Sequence, residues 1–565
     1  MSPTTSSTTR SADDSVPDQP STKRQKTAES ASSKFHDGLL EDSSREEIRK
    51  AFMESKPYLH CKIDKLMNDD LLRRVRKEIF ENLHFTVKET DIYKVHQTGD
   101  LANLDGLPKD ELERLSSLFE LRNAIYSPEF RDFISSVTDS GPLSGTKTDM
   151  SINSYNEGCH LLNHDDVIGT RRVSYILYLT DPEDRWNPEN GGALELYPVV
   201  EKGTPANEPT VIIPPQWNQF VMFTVQPGHS FHSVEEVVPE GKPRLSISGW
   251  FHIPQPGEPG YQEGREAGES KSSLEQLQEV KRICKIAKFA HYSSEEVEDD
   301  ALTQETIESL SSWMNPHYLD IKILKQMADR FYDESAVQCK EILSKELFAK
   351  IQAVTAKMDH DQFKEDKIAA HGTGVGEGWA TYGPPHRLRY MTLAEDQSEA
   401  GEAAKLFANL KAKFESDAFR QWLAVVAQLK PQGYRGQARR FRPGHDYTLA
   451  TTNTRGQAVL DVTFCLATTP SVKASELWES GECGGYECYM APHDEEEDPA
   501  TYKAADEEGA LLTMTPGCNE LSLVLRDEGV MRFVKYVSAR APGSRWDVAF
   551  EYDLPEEEEE EENDS

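Results

Sequence analysis

The stretch YNEGCHLLNHDDVIGTRRVSYILYL (155–179) sets His164 and Asp166 two residues apart, just before an alternating run rich in β-branched and aromatic residues. His232 follows in PGHSFH (227–232), and Arg244 opens a further run, RLSISGWFHI (244–253). Two imidazoles and one carboxylate on one face of a metal suit high-spin iron(II) and leave three coordination positions open. Two of those positions accept the C1 carboxylate and ketone of 2-oxoglutarate, and the third accepts O2. The far carboxylate of that co-substrate needs a fixed cation. Arginine supplies one that is planar, bidentate and permanently charged.

A histidine two residues from an acid is a common accident. His493-x-Glu495 has the same form, in an acidic stretch without strand character. The weight lies in the ordered set: His-x-Asp before a strand, the turn GGALELY (191–197), a PGxxxH strand, then arginine on the next strand. Asp165 adjoins Asp166, but the spacing selects Asp166. Strand alternation puts His229 on the face opposite His232.

These residues need a rigid frame. Residues 34–92 read as helical, with Leu72, Val75, Ile79 and Leu83 on one face of LLRRVRKEIFENL (71–83), and residues 110–137 read as a second helical stretch. From there the period changes: 171–180, 218–225 and 244–253 read as strands. Helices followed by strands point to a mainly β fold with flanking helices, a sheet sandwich or barrel.

The chain has 565 residues, 37% of them hydrophobic and 28% charged, enough for several cores. No apolar run is long enough for a bilayer-spanning helix, and the first residues lack the apolar core of a secretory signal. Eight cysteines are scattered without a zinc-type spacing, Cys483 and Cys488 being the closest pair, as expected of free thiols in a reducing compartment. The net charge of −36 argues against nucleic-acid or acidic-membrane binding. The excess is densest at 494–509 and in the tail PEEEEEEENDS (555–565), which read as solvated segments able to meet a basic partner. Residues 1–33 read as disordered and contain a basic cluster, Lys23-Arg24-Gln25-Lys26, of the kind used for nuclear import.

The chain also echoes itself. PYLHCKIDKL (57–66) is matched by HYLDIKILKQM (317–327), SPEFR (127–131) by SDAFR (416–420), GGALELY by GGYECY (484–489), and PGHSFHSVEEVVPEGKPR (227–244) by PGCNELSLVLRDEGVMR (516–532). Four echoes in one order indicate a duplicated domain. The expected division is a catalytic unit at 34–253, a linker at 254–310 and a second unit at 311–554. Matching RPGHDYTLATT (442–452) to the segment NEGCHLLNHDD sets Leu449 and Thr451 where His164 and Asp166 stand, and the last echo sets Leu521 at His232, so only Arg532 survives, opposite Arg244. The adjacent pair His445 and Asp446 does not restore the spacing. The second unit is therefore expected to be non-catalytic.

On CHLLNHDDVIGTRRVSYILYLTDP (159–182), GGALELYP (191–198) and PGHSFHSVEEV (227–237), the first half resembles the prolyl hydroxylases that modify a small-subunit ribosomal protein at the decoding centre, the fungal termination-and-polyadenylation protein family. The resemblance spans most of 40–553. It implies two tandem double-stranded β-helix (jelly-roll) domains. It also implies iron(II), 2-oxoglutarate and O2 with supporting L-ascorbate, and 3- or 3,4-hydroxylation of a prolyl ring. It assigns His164, Asp166 and His232 to the metal, Arg244 to the co-substrate carboxylate, and Tyr155 and Tyr178 to hydrogen bonds with the co-substrate. It further implies nuclear and cytoplasmic residence, a role in translation termination and oxygen-responsive transcription, and termination factors or a nuclear inhibitor protein as partners. The competing expectation is a scaffold without activity that binds such partners through its second half and acidic tail.

Overall fold

The computed structural model describes residues 31–99, 101–106, 108–263, 288–293, 297–364, 367–453, 457–491 and 510–555. The basic cluster at 23–26, the acidic stretch at 494–509, His493 and all but the first residue of the 555–565 tail lie outside the described residues.

The first half is a curled antiparallel sheet. Its strands are β1 (His60–Ile63), β2 (Thr86–Glu89), β3 (Tyr93–Gln97), β4 (Thr148–Tyr155), β5 (His160–His164), β6 (Arg171–Tyr178), β7 (Leu194–Leu196), β10 (Val211–Ile213), β11 (Phe220–Thr224), β12 (His232–Val234) and β13 (Arg244–His252). A separate hairpin pairs β8 (Val199–Glu201) with β9 (Thr204–Pro205). The order β1-β11-β6-β13-β4-β3-β5-β12-β7-β10 folds the sheet over on itself. In β6, Val173, Tyr175 and Leu177 point outward into a core shared with helices, while Ile176 and Tyr178 point into the barrel. Both faces are covered, so β6 is buried along most of its length.

Helices Asp42–Glu54, Asp69–Asn82, Ser116–Ile125 and Pro128–Thr138 close the outer face. Asp69–Asn82 buries Leu72, Val75 and Ile79 as their spacing requires, and Asn68 caps its first turn. The expected helical stretch at 34–92 is interrupted by β1, whose four residues are too few to show a period against the helices on either side. The stretch at 110–137 is also broken, ending one helix at Ile125 and starting another at Pro128, where proline takes the first turn and Ser127 caps it.

The second half repeats the plan. Its strands are β14 (Ala290–His291), β15 (Ala336–Lys340), β16 (Trp379–Tyr382), β17 (Leu388–Leu393), β18 (Gly433–Phe441), β19 (Tyr447–Thr452), β20 (Val459–Ala467), β21 (Glu487–Met490), β22 (Ala510–Met514), β23 (Cys518–Arg526), β24 (Met531–Val534) and β25 (Arg545–Asp553). Their order, β15-β23-β20-β25-β18-β17-β19-β24-β21-β22, matches the first sheet position for position. Both halves are double-stranded β-helix folds. Residues 290–291 pair with β18, and helix Gln304–Ser311 packs on the second core, so parts of 254–310 belong structurally to the second half.

The shared strand order corrects two of the four echoes. β1 corresponds to β15 at 336–340, not to residues 317–327, which form a 3-10 turn and a helix. PGCNELSLVLR leads into β23, the counterpart of β11, so it is not the partner of PGHSFH. The other two hold. Ser127 and Ser416 cap equivalent helices, and Gly191-Gly192 and Gly484-Gly485 share left-handed backbone.

Candidate active site

His164 ends β5, and His232 opens β12 directly opposite it in register. Asp166 sits in the turn that follows, with φ of 61°, a left-handed conformation that aspartate tolerates better than most residues. Each imidazole has its Nδ1 on a backbone carbonyl, His164 on Leu162 O at 2.9 Å and His232 on Ser230 O at 2.9 Å. Their Nε2 atoms are thereby left to face Asp166, at 3.3 and 3.5 Å. Ligands about 2.1 Å from one ion and at right angles lie about 3 Å apart, so the donor set fits a small divalent cation.

The electrostatics agree. Burial opposes ionisation of Asp166, but His232, His164 and Arg171 outweigh it and hold the carboxyl well below its usual range. Burial and the neighbouring His164 push His232 down to about 4, which keeps its lone pair free. The arrangement favours positive charge between these three side chains.

Two groups that the sequence reading missed orient the carboxylate. Ser174 Oγ and Trp250 Nε1 both donate to Asp166 Oδ2 at 3.1 Å. They lie on β6 and β13, directly opposite one another. Tyr58 adds a wall: its hydroxyl donates to Phe231 O, and its ring meets Phe223, which in turn touches the His232 ring. Asp165 faces elsewhere, accepting from Gly228 N at 3.1 Å and Val167 N at 3.4 Å, while His229 precedes β12 in the turn.

Arg244 starts β13 opposite Tyr155, inside the barrel and only 1% exposed. Its Nε donates to Gly192 O at 2.6 Å, and its remaining contacts, Tyr178 OH at 3.4 Å and Ser246 Oγ at 3.5 Å, are at the limit of hydrogen bonding. The rings of Tyr155 and Tyr178 flank the guanidinium at 4.7 and 4.9 Å. Among the described residues no carboxylate pairs with it. Glu235, close enough to feel its charge, is itself pushed up to about 8 by burial and by Glu195. A Cβ on Gly192 would lie 2.9 Å from Arg244 Cδ, so glycine is what lets the arginine lie against the turn.

The second barrel supplies an internal control. Thr451 stands opposite Arg532 as His164 stands opposite His232, and Arg545 stands opposite Phe441 as Arg244 stands opposite Tyr155. Thr451 and Asn453 therefore occupy the His164 and Asp166 positions, Arg532 that of His232, and Arg545 that of Arg244. The expected counterparts Leu449, Thr451, Leu521 and Arg532 are out of register: Leu521 and Arg532 are matched through the misaligned PG turn, and the strand pairing sets Thr451, not Leu449, at the His164 position. Arg532 is tied to Glu487, to Asp461 at 3.2 Å and to Thr463. Arg545 bonds Gly485 O at 2.6 Å, as Arg244 bonds Gly192 O, but it also pairs with Glu487 at 3.3 Å and Asp547 at 3.1 Å. The positions equivalent to His164, Asp166 and His232 hold no imidazole, and the arginine is already neutralised.

One further cluster among the described residues, Glu195, Glu235 and His371, has ligand-type atoms within 4.8 Å of one another. It lies between the two halves, beside a polar cavity of about 40 Å³. A larger cavity, about 810 Å³, opens between the free edges β1 and β10 and is lined by His60, Lys62, Trp186, Ile212 and Gln219 among others, with none of the triad on its wall.

Residues 150–252 match the 2OG-Fe(II) oxygenase superfamily, and residues 305–561 match the oxoglutarate and iron-dependent oxygenase degradation C-terminal domain. The chain is 38% identical to the prolyl 3,4-dihydroxylase OGFOD1 of Ostreococcus tauri over 505 residues, covering 88% of this chain and 95% of that protein. It is 27% identical to the prolyl 3-hydroxylase OGFOD1 of Mus musculus, covering 92% and 96%. Among solved structures, a Pseudomonas putida prolyl-4-hydroxylase matches 36% of this chain and 98% of its own, at 21% identity and a TM-score of 0.25.

Proposed function

Because the chain belongs to the OGFOD1 family of 2-oxoglutarate- and iron(II)-dependent prolyl hydroxylases, we propose that its first barrel hydroxylates a prolyl ring with His164, Asp166 and His232 as the iron ligands and Arg244 as the anchor of 2-oxoglutarate. The observation that carries this reading is the unpaired, buried Arg244. A charge held out of water without a partner costs several kcal/mol, and its counterpart Arg545 has two carboxylates. A dicarboxylate co-substrate supplies what Arg244 lacks.

Arg244 would grip the C5 carboxylate through its Nη atoms, while the Gly192 carbonyl holds Nε and fixes the plane of the fork. Tyr178 would turn its hydroxyl to the same carboxylate. Burial raises the Tyr178 phenol, with Arg244 opposing, so it acts as a donor rather than a phenolate. Tyr155 would serve through its ring on the guanidinium, a weaker role than the hydrogen bond expected for it. Ser174 and Trp250 hold Asp166 in one orientation, and the apolar wall of Ile176, Val221 and Phe223 excludes water. Iron, when bound with 2-oxoglutarate and O2, supplies the oxidant that places one oxygen atom on the prolyl ring and the other in succinate, with loss of CO2 and ascorbate as supporting reductant.

We further propose that the substrate is a prolyl residue of a small-subunit ribosomal protein at the decoding centre, with the second barrel as the docking surface. The support is the resemblance carried by residues 159–182, 191–198 and 227–237. Mass spectrometry of ribosomal proteins from cells with the intact gene and with an Asp166→Ala allele tests both levels. Loss of a 16-dalton increment on one prolyl peptide is expected. Unchanged ribosomal peptides beside succinate formation in vitro would redirect the search to another prolyl protein and leave the reaction class standing.

A further inference from the structure

The turn RPGHDY (442–447) has no catalytic role in the second barrel, yet its polar side chains are fully buried. Arg442 forms a bidentate pair with Asp446 at 2.7 and 3.0 Å. Its other nitrogen donates to His371 O at 2.8 Å and Thr373 O at 2.7 Å. His445 Nε2 bonds Ala369 O at 2.8 Å, and Arg389 also reaches His371 O. The whole turn is thus a clamp on the 369–373 loop.

That loop presents His371 to the first barrel. His371 Nε2 lies 2.5 Å from Glu195 Oε1, and Glu195 is buried on β7. The other carboxylate oxygen accepts from Ser233 Oγ at 2.7 Å and Tyr197 OH at 2.9 Å. Ser233 is the residue after His232, paired in register with Glu195. Two more contacts from the second half flank the same strand. The His386 ring sits 5.2 Å from Phe231, and Glu236 accepts from Ala539 N at 2.7 Å and from Ser538.

We propose that the second barrel is a positioning element for the metal centre, in which the RPGHDY clamp holds His371, His371 fixes Glu195, and Glu195 through Ser233 fixes the strand that carries His232. This rests on the metal-ligand assignment above. The physical reason is leverage: His232 points into the barrel, its two neighbours point outward, and both are touched, directly or through Glu195, by the second half. Orienting groups around a metal ligand typically change affinity 10–100-fold when lost, and His371, two hydrogen bonds and a peptide link from His232, is expected at the bottom of that range.

The test uses the full chain. His371→Ala should weaken iron(II) binding about tenfold by equilibrium dialysis, and alter the visible absorption of the anaerobic iron–2-oxoglutarate complex. His371→Gln, which keeps a donor to Glu195, should restore most of the affinity. Lys367→Ala, which removes an exposed ion pair with Glu189 in the same interface, should change neither readout. Should His371→Ala fail to fold, Ser233→Ala breaks the relay from the first half by removing one hydroxyl and should give the same shift. Wild-type iron affinity and absorption in a folded His371→Ala or Ser233→Ala protein would overturn the relay. A second equivalent of metal that depends on His371, retained in Asp166→Ala protein, would overturn it differently, by making Glu195, Glu235 and His371 a metal site. If the triad assignment itself is wrong, Asp166→Ala will bind iron normally, which separates that failure from failure of the relay.

Discussion

Arg244 gives the most quantitative test, because its two states differ by a charge. Arg244→Met replaces a buried, unpaired guanidinium with an apolar side chain of similar length. The protein loses one good hydrogen bond, to Gly192 O, and two marginal ones. It is relieved of an unneutralised charge whose burial costs several kcal/mol. The ligand-free variant is therefore expected to melt at or above the wild-type temperature. Co-substrate should reverse the ranking. At one hundred times its Kd, a ligand adds about 2.7 kcal/mol to the folded state. For a unit the size of the first barrel that is a rise of roughly 5–10 °C, and less where both barrels melt as one. The measurement is a melting curve with and without 2-oxoglutarate in the presence of manganese(II), on wild type, Arg244→Lys and Arg244→Met. Arg244→Lys should keep part of the shift, since it retains charge but loses the fork. Arg244→Met should keep none. A variant that melts well below wild type without ligand would show Arg244 to be a structural strut. A full ligand shift in Arg244→Met would remove it from the co-substrate site.

Three further outcomes follow from the same geometry. Asp166→Ala should abolish measurable iron binding, whereas Asp165→Ala, which loses only bonds to Gly228 N and Val167 N, should stay within about tenfold of wild type; equal damage in two folded variants would mean that the ligand register is wrong. Glu235, raised to about 8 by burial and Glu195, holds a proton in the folded chain that the unfolded chain releases near pH 4.5. The folded state binds more protons between those values, so this group's contribution is present below about pH 4.5 and is lost as pH rises toward 8. Glu235→Gln should flatten the fall in melting temperature across that window, and an unchanged slope would show that Glu235 is ionised in the fold. Finally, a chain ending near residue 255 exposes Leu162 and Phe231 and strips partners from Glu195 and Glu236, so it should lack a cooperative melting transition; a folded fragment with wild-type iron affinity would contradict both this outcome and the relay.

That His164, Asp166 and His232 converge, with Arg244 buried in the same barrel, was legible because the chemistry read from the sequence would demand particular residue types at particular strand positions. The orienting pair Ser174 and Trp250 was not, since serine and tryptophan on a strand are ordinary, and only the fold sets them opposite each other. Strand β1 was hidden for a similar reason: its pairing with β11 is a long-range event, and His60–Ile63 has no period of its own. The duplication could be read from the two echoes that encode local geometry, a capped helix start and a pair of left-handed glycines. Of the two echoes that failed, one matched a PG turn, and such turns open several strands in any β fold.

That failed echo bears on how the second barrel is without a site. Read in the sequence register, it looks like a centre whose ligands were exchanged for leucine and threonine while the arginine was kept. In the structural register the positive charge has been replaced. Arg532 stands at the His232 position, and the barrel interior answers it with Asp461 where the first barrel has Ser174, and Glu487 where it has Leu194. Burial raises the Asp461 carboxyl, with Arg526 and Arg532 opposing, while Arg532 and Arg545 outweigh burial to hold Glu487 down to about 2. A carboxylate thus meets Arg545, where Arg244 in the first barrel has none among the described residues. On the proposed function, one backbone plan would solve the same electrostatic problem twice, once with a ligand from solution and once with its own side chains. The barrel that carries its own counter-charges would then be free for the proposed role of holding the strand of His232 in place.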